Sequence, residues 1–212
     1  MSTVKITKNK IKPAVVASVE EGSISEELGF EVGDQLISIN GVKPRDLIDY
    51  KFLIAEENIQ LKVLDEKGKI HKINIEKEYD DELGIAFTEA LFDGLKQCNN
   101  QCPFCFIDQQ PPGKRKSLYL KDDDYRLSFL YGSYLTLTNL SEQDWLRIDQ
   151  QRLTPLFVSV HATEPSLRSK LLRNPKAIDL LNQLTWFSEK RIQIHAQIVV
   201  CPEINDGKAL ER

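Results

Sequence analysis

The sequence lacks any uninterrupted apolar stretch of the length that a membrane span requires, and residues 1–8 contain no apolar core of the kind found in signal peptides. We therefore expect a cytoplasmic protein with no membrane partner. Basic charge is also not in excess, since the net charge is -4 and the isoelectric point is near 5.5. This acidic balance argues against nucleic acid as a partner over the whole surface.

Cysteine is scarce, yet three of the four cysteines fall within the segment Cys98–Cys105, with the spacing C-x3-C-x2-C. In a reducing compartment, clustered thiols favour metal binding over disulfides. Thiolates are ligands of iron-sulfur clusters and of zinc. Three thiolates in one loop suit a [4Fe-4S] cluster in which the protein holds three irons and the fourth stays open.

A structural zinc site is the alternative for the same loop. Zinc prefers four ligands, and only Cys201, His161 and His195 are available to complete a tetrahedron. Cys201 precedes Pro202 and is predicted to be a free thiol, because a fourth thiolate would close the iron that has to stay open.

The first part of the sequence alternates short apolar strands with turns. Strand 14–19 is followed by a turn and a short helix that is capped by Ser23 or Ser25 and ends at Gly29. The later elements are a strand over 33–41 with an Asn-Gly turn, a helix over about 44–57, and two alternating strands around 59–63 and 71–75.

This order of elements resembles a PDZ domain over residues 13–88, with Glu21-Gly22-Ser23 before the short helix and Val32–Gly41 after it. The resemblance implies a β-rich fold that binds the C-terminal peptides of other proteins as an added strand. The segment Glu82–Phe87 follows the last strand, whereas most family members have this loop near the start, which implies a circularly permuted arrangement. A groove for a C-terminal peptide and a docking domain packed on its neighbour are both open interpretations.

The pattern changes near residue 88 to strands that alternate with helices, as in α/β folds with a parallel sheet. We therefore predict two domains, 1–88 and 89–212. The predicted strands of the second domain are 91–95, 134–139, 155–161 and 191–200, and the predicted helices are 141–150, 166–172 and 177–190.

Near the carboxyl ends of three of these strands, polar residues occupy alternate positions and so share one face: Thr136 and Thr138, Ser159 and His161, His195 and Gln197. Strands that are covered on both faces should be almost entirely apolar. In α/β barrels the carboxyl ends of the strands face the ligand. The pattern therefore predicts a polar cavity at the end where the cysteine loop also emerges.

The cysteine spacing, with Phe104 before the last cysteine, resembles the signature of the radical SAM superfamily. Fused to a PDZ-like region, it is similar to bacterial PDZ-fused radical SAM proteins, which are Fe-S oxidoreductases of unknown activity. The resemblance implies an α/β fold in which a PDZ-like β-rich domain precedes the first part, strands 1–4, of a partial (β/α) barrel. Such proteins continue well past the position of Gly207 with the rest of the barrel and a C-terminal domain of unknown function, so the sequence is expected to be a fragment or an early-terminated product.

The resemblance further implies that Cys98, Cys102 and Cys105 hold the cluster and that S-adenosyl-L-methionine chelates the open iron. One electron from a reductant protein such as a flavodoxin or a ferredoxin would cleave this cofactor and start radical chemistry on a substrate. The family's Gly-Gly-Glu-like motif is replaced here by Thr136–Asn139. The candidate residues for binding the cofactor are Thr138, Asn139, Ser159, His161 and Gln197, of which Gln197 is the candidate for the ribose.

The alternative function is a PDZ-type binding or scaffold protein. In that case the cysteine loop is a structural Fe-S or zinc site, and the protein has no catalytic activity.

Overall fold

The computed structural model describes residues 11–211. The protein divides into two compact units, of which the first ends at Gly94 and the second begins at Leu95. Residues 1–10, which the predicted first domain includes, and Arg212 lie outside the described residues. Of the helices between residues 11 and 211, none combines the length and the apolar character needed to cross a bilayer.

An antiparallel sheet of five strands organises the first unit, in the order β4-β3-β2-β1-β5. Four of the strands correspond to predicted ones, and the second helix is shorter than predicted. The elements are β1 (Ala14–Val19), α1 (Ile24–Glu27), β2 (Gln35–Ile39), α2 (Leu47–Ile54), β3 (Asn58–Leu64), β4 (Ile70–Glu76) and β5 (Ile85–Phe87).

The alternation of apolar residues along β3 creates the core of this unit. Ile59, Leu61 and Val63 are 3%, 0% and 3% exposed, while the residues between them face outward. Burying each such side chain stabilises the fold by roughly 1.5–3 kcal/mol. The turn to β4 is closed by Asp65, whose Oδ1 accepts a hydrogen bond from the Lys69 amide at 2.8 Å.

Strand β5 comes last in the unit but pairs with β1, the first strand. The Phe87 ring on β5 contacts the rings of Tyr50 and Phe92, with centroids 4.8 and 5.6 Å away. The predicted PDZ-like β-rich fold is present, and residues Ile85–Phe87 of the late segment 82–87 supply the strand beside β1.

The second unit contains the helices α3 (Tyr125–Tyr131), α4 (Glu142–Gln150), α5 (Pro165–Leu172) and α6 (Leu180–Glu189) and the strands β6 (Leu156–Ser159) and β7 (Ile194–Gln197). Strands β6 and β7 pair in parallel, and Leu135 adds a single parallel bridge to Val158. Helix α4 begins where it was predicted, because Ser141 and Asp144 form a reciprocal capping box.

The predicted set of four barrel strands is not what the structure contains. Among residues 95–211, two segments form a ladder, and the predicted strand 134–139 is reduced to the Leu135 bridge. The assignment of 91–95 as the first barrel strand was wrong, since Leu91 bridges to Asp46 and Phe92 belongs to the core of the first unit. These apolar side chains are buried there, at 8% and 4% exposure, so the first unit extends past residue 88.

Candidate metal centre

The cysteine loop has no regular secondary structure and is held in place by backbone hydrogen bonds. The Cys98 amide donates to the Lys121 carbonyl at 2.8 Å, and the Gln101 amide donates to the Leu172 carbonyl at 3.0 Å. The Cys105 amide donates to the Cys102 carbonyl at 3.1 Å, which closes a tight turn around Pro103 and Phe104. The loop is thus attached to other segments at Cys98 and at Gln101, while the cysteine side chains remain partly accessible.

All four cysteines are free and partly buried. Cys98 and Cys102 line a cavity of about 770 Å³, together with Asn100, Asp108, Lys121 and Arg173 among others. The Lys121 ammonium lies at the wall of this cavity and donates to the Asn100 carbonyl at 2.7 Å and to Asp108 Oδ2 at 2.6 Å. The cavity therefore combines soft donors with positively charged side chains.

The thiols influence one another electrostatically. Burial is the main cause that raises the pKa of Cys102 to about 11; the charges of Cys98 and Cys105 act in the same direction, and Lys121 opposes them. Burial also raises the pKa of Cys98, against hydrogen bonds from Asn100 that lower it. A bound cation would reverse this balance, because metals bind thiolates and release their protons.

The three thiols do not form a finished coordination group. Within residues 11–211, no three His, Cys, Asp or Glu side chains converge as a metal-binding group. The donor set nevertheless fits an iron-sulfur cluster in kind, because three soft thiols lie within electrostatic range of one another and two of them line the cavity. Metal binding would therefore require adjustment of the loop.

The fourth ligand of the zinc alternative is not assembled in the described part of the protein. Cys201 packs with Cys102 and Phe104 against a buried apolar cluster formed by Ala162, Leu171, Leu172 and Ala177. The His161 ring lies 4.8 Å from the Phe104 ring, and its Nδ1 accepts a hydrogen bond from the Val199 amide at 3.2 Å. His195 is exposed and stacks on Phe157.

His161 is a buried neutral side chain with a strained backbone. Burial, with the charge of Arg168 as a second cause, lowers the pKa of His161 to about 4. Its φ of 62° is left-handed, a conformation that is uncommon for residues with a side chain. The bond that Nδ1 accepts from Val199 requires this nitrogen to be unprotonated.

Thr138 and Asn139 are joined to the cysteine loop. Thr138 Oγ1 donates to the side-chain oxygens of Asn99 or Asn100, both 3.1 Å away. Asn139 Nδ2 donates to the carbonyls of Gln97, at 3.2 Å, and Asp123, at 3.0 Å. Two of the predicted cofactor-binding residues thus contact the loop or the residue that precedes it.

The remaining predicted residues lie along the ladder. Ser159 pairs with Gln197 in the β6–β7 register, and the Gln197 carbonyl accepts from the amide of Val160 at 2.9 Å and from that of His161 at 3.3 Å. His161 approaches the loop through the Phe104 ring. The described contacts of Ser159 and Gln197 are instead with neighbouring segments of the sheet and with α5.

Three buried polar side chains around the loop, those of Asp123, Arg168 and Asn100, were not identified from the sequence, because their local patterns indicate solvent-exposed surface. Asp123 lies in a run of three aspartates but is 1% exposed, and its carboxylate accepts from the Thr136 amide and hydroxyl, each at 2.6 Å. Burial raises the pKa of Asp123, and the two bonds from Thr136 oppose that shift. Arg168 and Asn100 are 1% and 2% exposed.

Two family profiles match the chain, over separate stretches of residues. The profile of a family described as a radical SAM-like domain matches residues 77–212, which is more than half of the chain. The chain belongs to the radical SAM-like family. A PDZ domain profile matches residues 15–65, from β1 to the end of β3. The radical SAM-like match begins directly after β4 and includes β5 and the cysteine loop.

Two solved structures resemble the PDZ-like part of this radical SAM-like protein. One is the PDZ domain of an SdrC-like protein from Listeria innocua, with 19% identity over 38% of this chain and 99% of that chain, and a TM-score of 0.31. The other is the PDZ domain of an SdrC-like protein from Listeria monocytogenes, with 19% identity over 40% and 94%, and a TM-score of 0.30. In a separate comparison, no curated protein matched the chain.

Proposed function

We propose that the protein is a radical SAM enzyme in which Cys98, Cys102 and Cys105 bind a [4Fe-4S] cluster. The observation that carries the proposal is the cysteine loop itself, three thiols in eight residues of a radical SAM-like protein, two of which line a cavity of about 770 Å³. When bound, the cluster and S-adenosyl-L-methionine supply reductive cleavage of the sulfonium and radical chemistry on a substrate.

The side chains around the cavity would bind and orient the anionic groups of the cofactor. Lys121 and Arg173 bring positive charge to the cavity that the thiols line. Lys121 is already oriented by Asp108 and by the Asn100 carbonyl, so its ammonium is held in place before a ligand arrives. The predicted set Thr138, Asn139, Ser159, His161 and Gln197 remains the candidate group for contacts with S-adenosyl-L-methionine.

Phe104 and the buried apolar residues beneath it would exclude water from one side of the iron-sulfur cluster. Phe104 packs against the group formed by Ala162, Leu171, Leu172 and Ala177, and its ring meets the neutral His161. An apolar and uncharged wall at this position limits solvent access, which is one of the factors that sets a cluster's reduction potential. The reductant would be a protein such as a flavodoxin or a ferredoxin in the cytoplasm.

Anaerobic reconstitution tests this function. We expect about four irons per protein molecule with the spectrum of a [4Fe-4S] cluster, loss of iron in Cys102→Ala, and retention of iron in the control Cys201→Ala. Addition of S-adenosyl-L-methionine and dithionite should then release methionine. Stoichiometric zinc without iron would contradict the proposal and favour a scaffold protein with a structural metal loop.

Peptide binding by the PDZ-like unit is a second candidate function, and strand β5 favours it. Within the described residues, β5 is an edge strand that pairs with β1 alone, and the irregular segment Leu83-Gly84, with Gly84 at a φ of +76°, precedes it. The C-terminal peptide of a partner protein could add beside β5 as a further strand, with its carboxylate on the amides of the segment Leu83-Gly84. PDZ domains bind peptides in this way, and the family match over residues 15–65 supports the same activity here.

The test is a titration of the full-length protein with a decapeptide that ends in a free carboxylate, followed by amide NMR. Shifts at Ile85–Phe87 are expected, with no shifts at β4 on the opposite edge of the sheet. The same peptide with an amidated C-terminus serves as the control and should not bind. Equal shifts with both peptides, or shifts confined to β4, would count against a C-terminal peptide site.

A further inference from the structure

Asn100 is the buried residue of the cysteine loop, and every hydrogen-bonding position of its side chain has a partner within hydrogen-bonding distance. Its Nδ2 donates to Cys98 Sγ at 3.3 Å and to Thr136 Oγ1 at 2.8 Å. Its Oδ1 accepts from Thr138 Oγ1 at 3.1 Å and from Asn174 Nδ2 at 2.7 Å. Since a side-chain amide offers two donors and two acceptor sites, these four contacts fix its orientation.

The partners of Asn100 are themselves held in place. Thr136 Oγ1 donates to the buried carboxylate of Asp123 at 2.6 Å, and Asn174 Oδ1 accepts from the Lys176 amide at 3.0 Å. The Asn100 carbonyl accepts from Lys121 at 2.7 Å. The amide that faces the Cys98 sulfur therefore rests on a scaffold built from three separate parts of the unit.

We infer that Asn100 is a positioning residue that holds the Cys98 sulfur and raises the reduction potential of the cluster. This inference rests on the proposed function, in which Cys98 is a ligand of a [4Fe-4S] cluster. A donor on a ligating sulfur stabilises the negative charge that a cluster gains when it is reduced. Hydrogen bonds to sulfur are among the factors that set cluster potentials, and residues that orient ligands matter nearly as much as the ligands.

Asn99 provides a matched control. Its Oδ1 lies 3.1 Å from Thr138 Oγ1 and 3.0 Å from Asn174 Nδ2, so it shares two partners with Asn100. It is exposed, however, and its described hydrogen bonds do not include Cys98. A substitution at residue 99 therefore disturbs the same polar network while leaving the sulfur contact intact.

The experiment compares the reconstituted wild type, Asn100→Ala and Asn99→Ala in an EPR-monitored redox titration. We expect the midpoint potential to fall in Asn100→Ala and to stay at the wild-type value in Asn99→Ala. Pulsed EPR in D₂O should lose the coupling of one exchangeable deuteron in Asn100→Ala only. A wild-type potential and a wild-type coupling in a cluster-loaded Asn100→Ala would overturn the inference.

A second variant and a metal-free measurement separate this inference from the proposed function. If Asn100→Ala does not fold, Asn100→Asp keeps the size and the acceptor oxygen but lacks the N–H, and it should lose the same deuteron coupling. If the wild type takes up no cluster, the proposed function fails. The hydrogen bond from Asn100 Nδ2 to Cys98 Sγ is then tested in the metal-free protein. In the metal-free protein, Cys98→Ala should shift the side-chain amide resonances of Asn100, whereas Cys105→Ala should not; unshifted resonances in Cys98→Ala would refute the contact.

Discussion

The guanidinium group of Arg168 donates to the carbonyl of Thr136 at 2.8 Å and, from the same nitrogen, to the carbonyl of Ser159 at 2.8 Å. Its other nitrogens donate to the carbonyls of Val160 and Ala177, each at 2.9 Å. Arg168 lies on α5 and is 1% exposed. One side chain thus satisfies carbonyl groups at the end of β6, in the Thr136 segment and in the turn before α6.

Arg168→Lys should lower the free energy of unfolding of the second unit by roughly 3 kcal/mol, because a single ammonium cannot replace a planar fork that reaches four carbonyls. Tryptophan fluorescence during urea unfolding measures this unit alone, because both tryptophans of the protein, Trp145 and Trp186, belong to it. The exposed Arg173 is the control, and Arg173→Lys should change the value by less than ~0.5 kcal/mol. Equal effects of the two substitutions would contradict the role given to Arg168.

His161 should make the stability of the second unit depend on pH. Its folded pKa of about 4 lies below the ordinary value of 6.5, so the unfolded state binds more protons between these values. The stabilising contribution is fully present above pH 6.5 and falls as the pH drops towards 4, by up to about 3 kcal/mol. Urea midpoints followed by tryptophan fluorescence between pH 4 and pH 7 measure it.

Asparagine at position 161 tolerates positive φ and does not titrate, so His161→Asn should flatten this pH dependence. His195→Asn, at an exposed histidine, is the control, and its free energy of unfolding should depend on pH as that of the wild type does. A slope that persists in His161→Asn would show that other groups cause it.

Gly84→Ala should destabilise the first unit by more than ~2 kcal/mol. Gly84 has a φ of +76°, and an added Cβ would lie 2.3 Å from the Ser23 Cβ and 3.2 Å from the Glu20 Cβ. Gly29 has the same φ but no atom within 4 Å of an added Cβ, so Gly29→Ala should cost only the backbone strain of about 1 kcal/mol. Hydrogen exchange of the β3 amides measures both, and equal costs would rule out a steric cause.

Tyr50→Phe should stabilise the first unit by about 1 kcal/mol. The Tyr50 hydroxyl is buried and has no hydrogen-bond partner within residues 11–211, and burial raises the pKa of this phenol. Removing an unsatisfied buried hydroxyl removes its desolvation cost while the ring keeps its contact with Phe87. The exposed Tyr79 provides the control Tyr79→Phe, for which no change in β3 hydrogen exchange is expected. A destabilised Tyr50→Phe variant would indicate that the hydroxyl makes a bond in solution.

Local patterns were sufficient for much of the fold. The alternation of Ile59, Leu61 and Val63 indicated a half-buried strand, and β3 buries those residues. Ser141 marked the start of α4 because a serine three residues before an acidic side chain can cap a helix on its own. Such signals depend on neighbours within a few positions in the sequence.

The segment 91–95 shows where local patterns fail. Its apolar residues suit a strand of a parallel sheet as well as they suit a different core. Leu91 and Phe92 bury their side chains in the first unit, where Leu91 bridges to Asp46 and Phe92 joins the core, and the local pattern carries no information about these distant partners. The polar residues Asp123 and Arg168 were missed for a related reason, since burial depends on partners that are distant in sequence.

The spacing of Cys98, Cys102 and Cys105 and the resemblance to radical SAM proteins are readable from the amino-acid sequence alone, because ligand type and spacing are properties of a short segment. The sequence could not distinguish Asn99 from Asn100, two identical neighbours in the same loop. The inward orientation of Asn100 towards the Cys98 sulfur depends on the folded chain, because its other partners, Thr136 and Asn174, are 36 and 74 residues away in the sequence. A buried amide is stable only where all its hydrogen-bonding groups find partners, and the fold brings those partners together at residue 100.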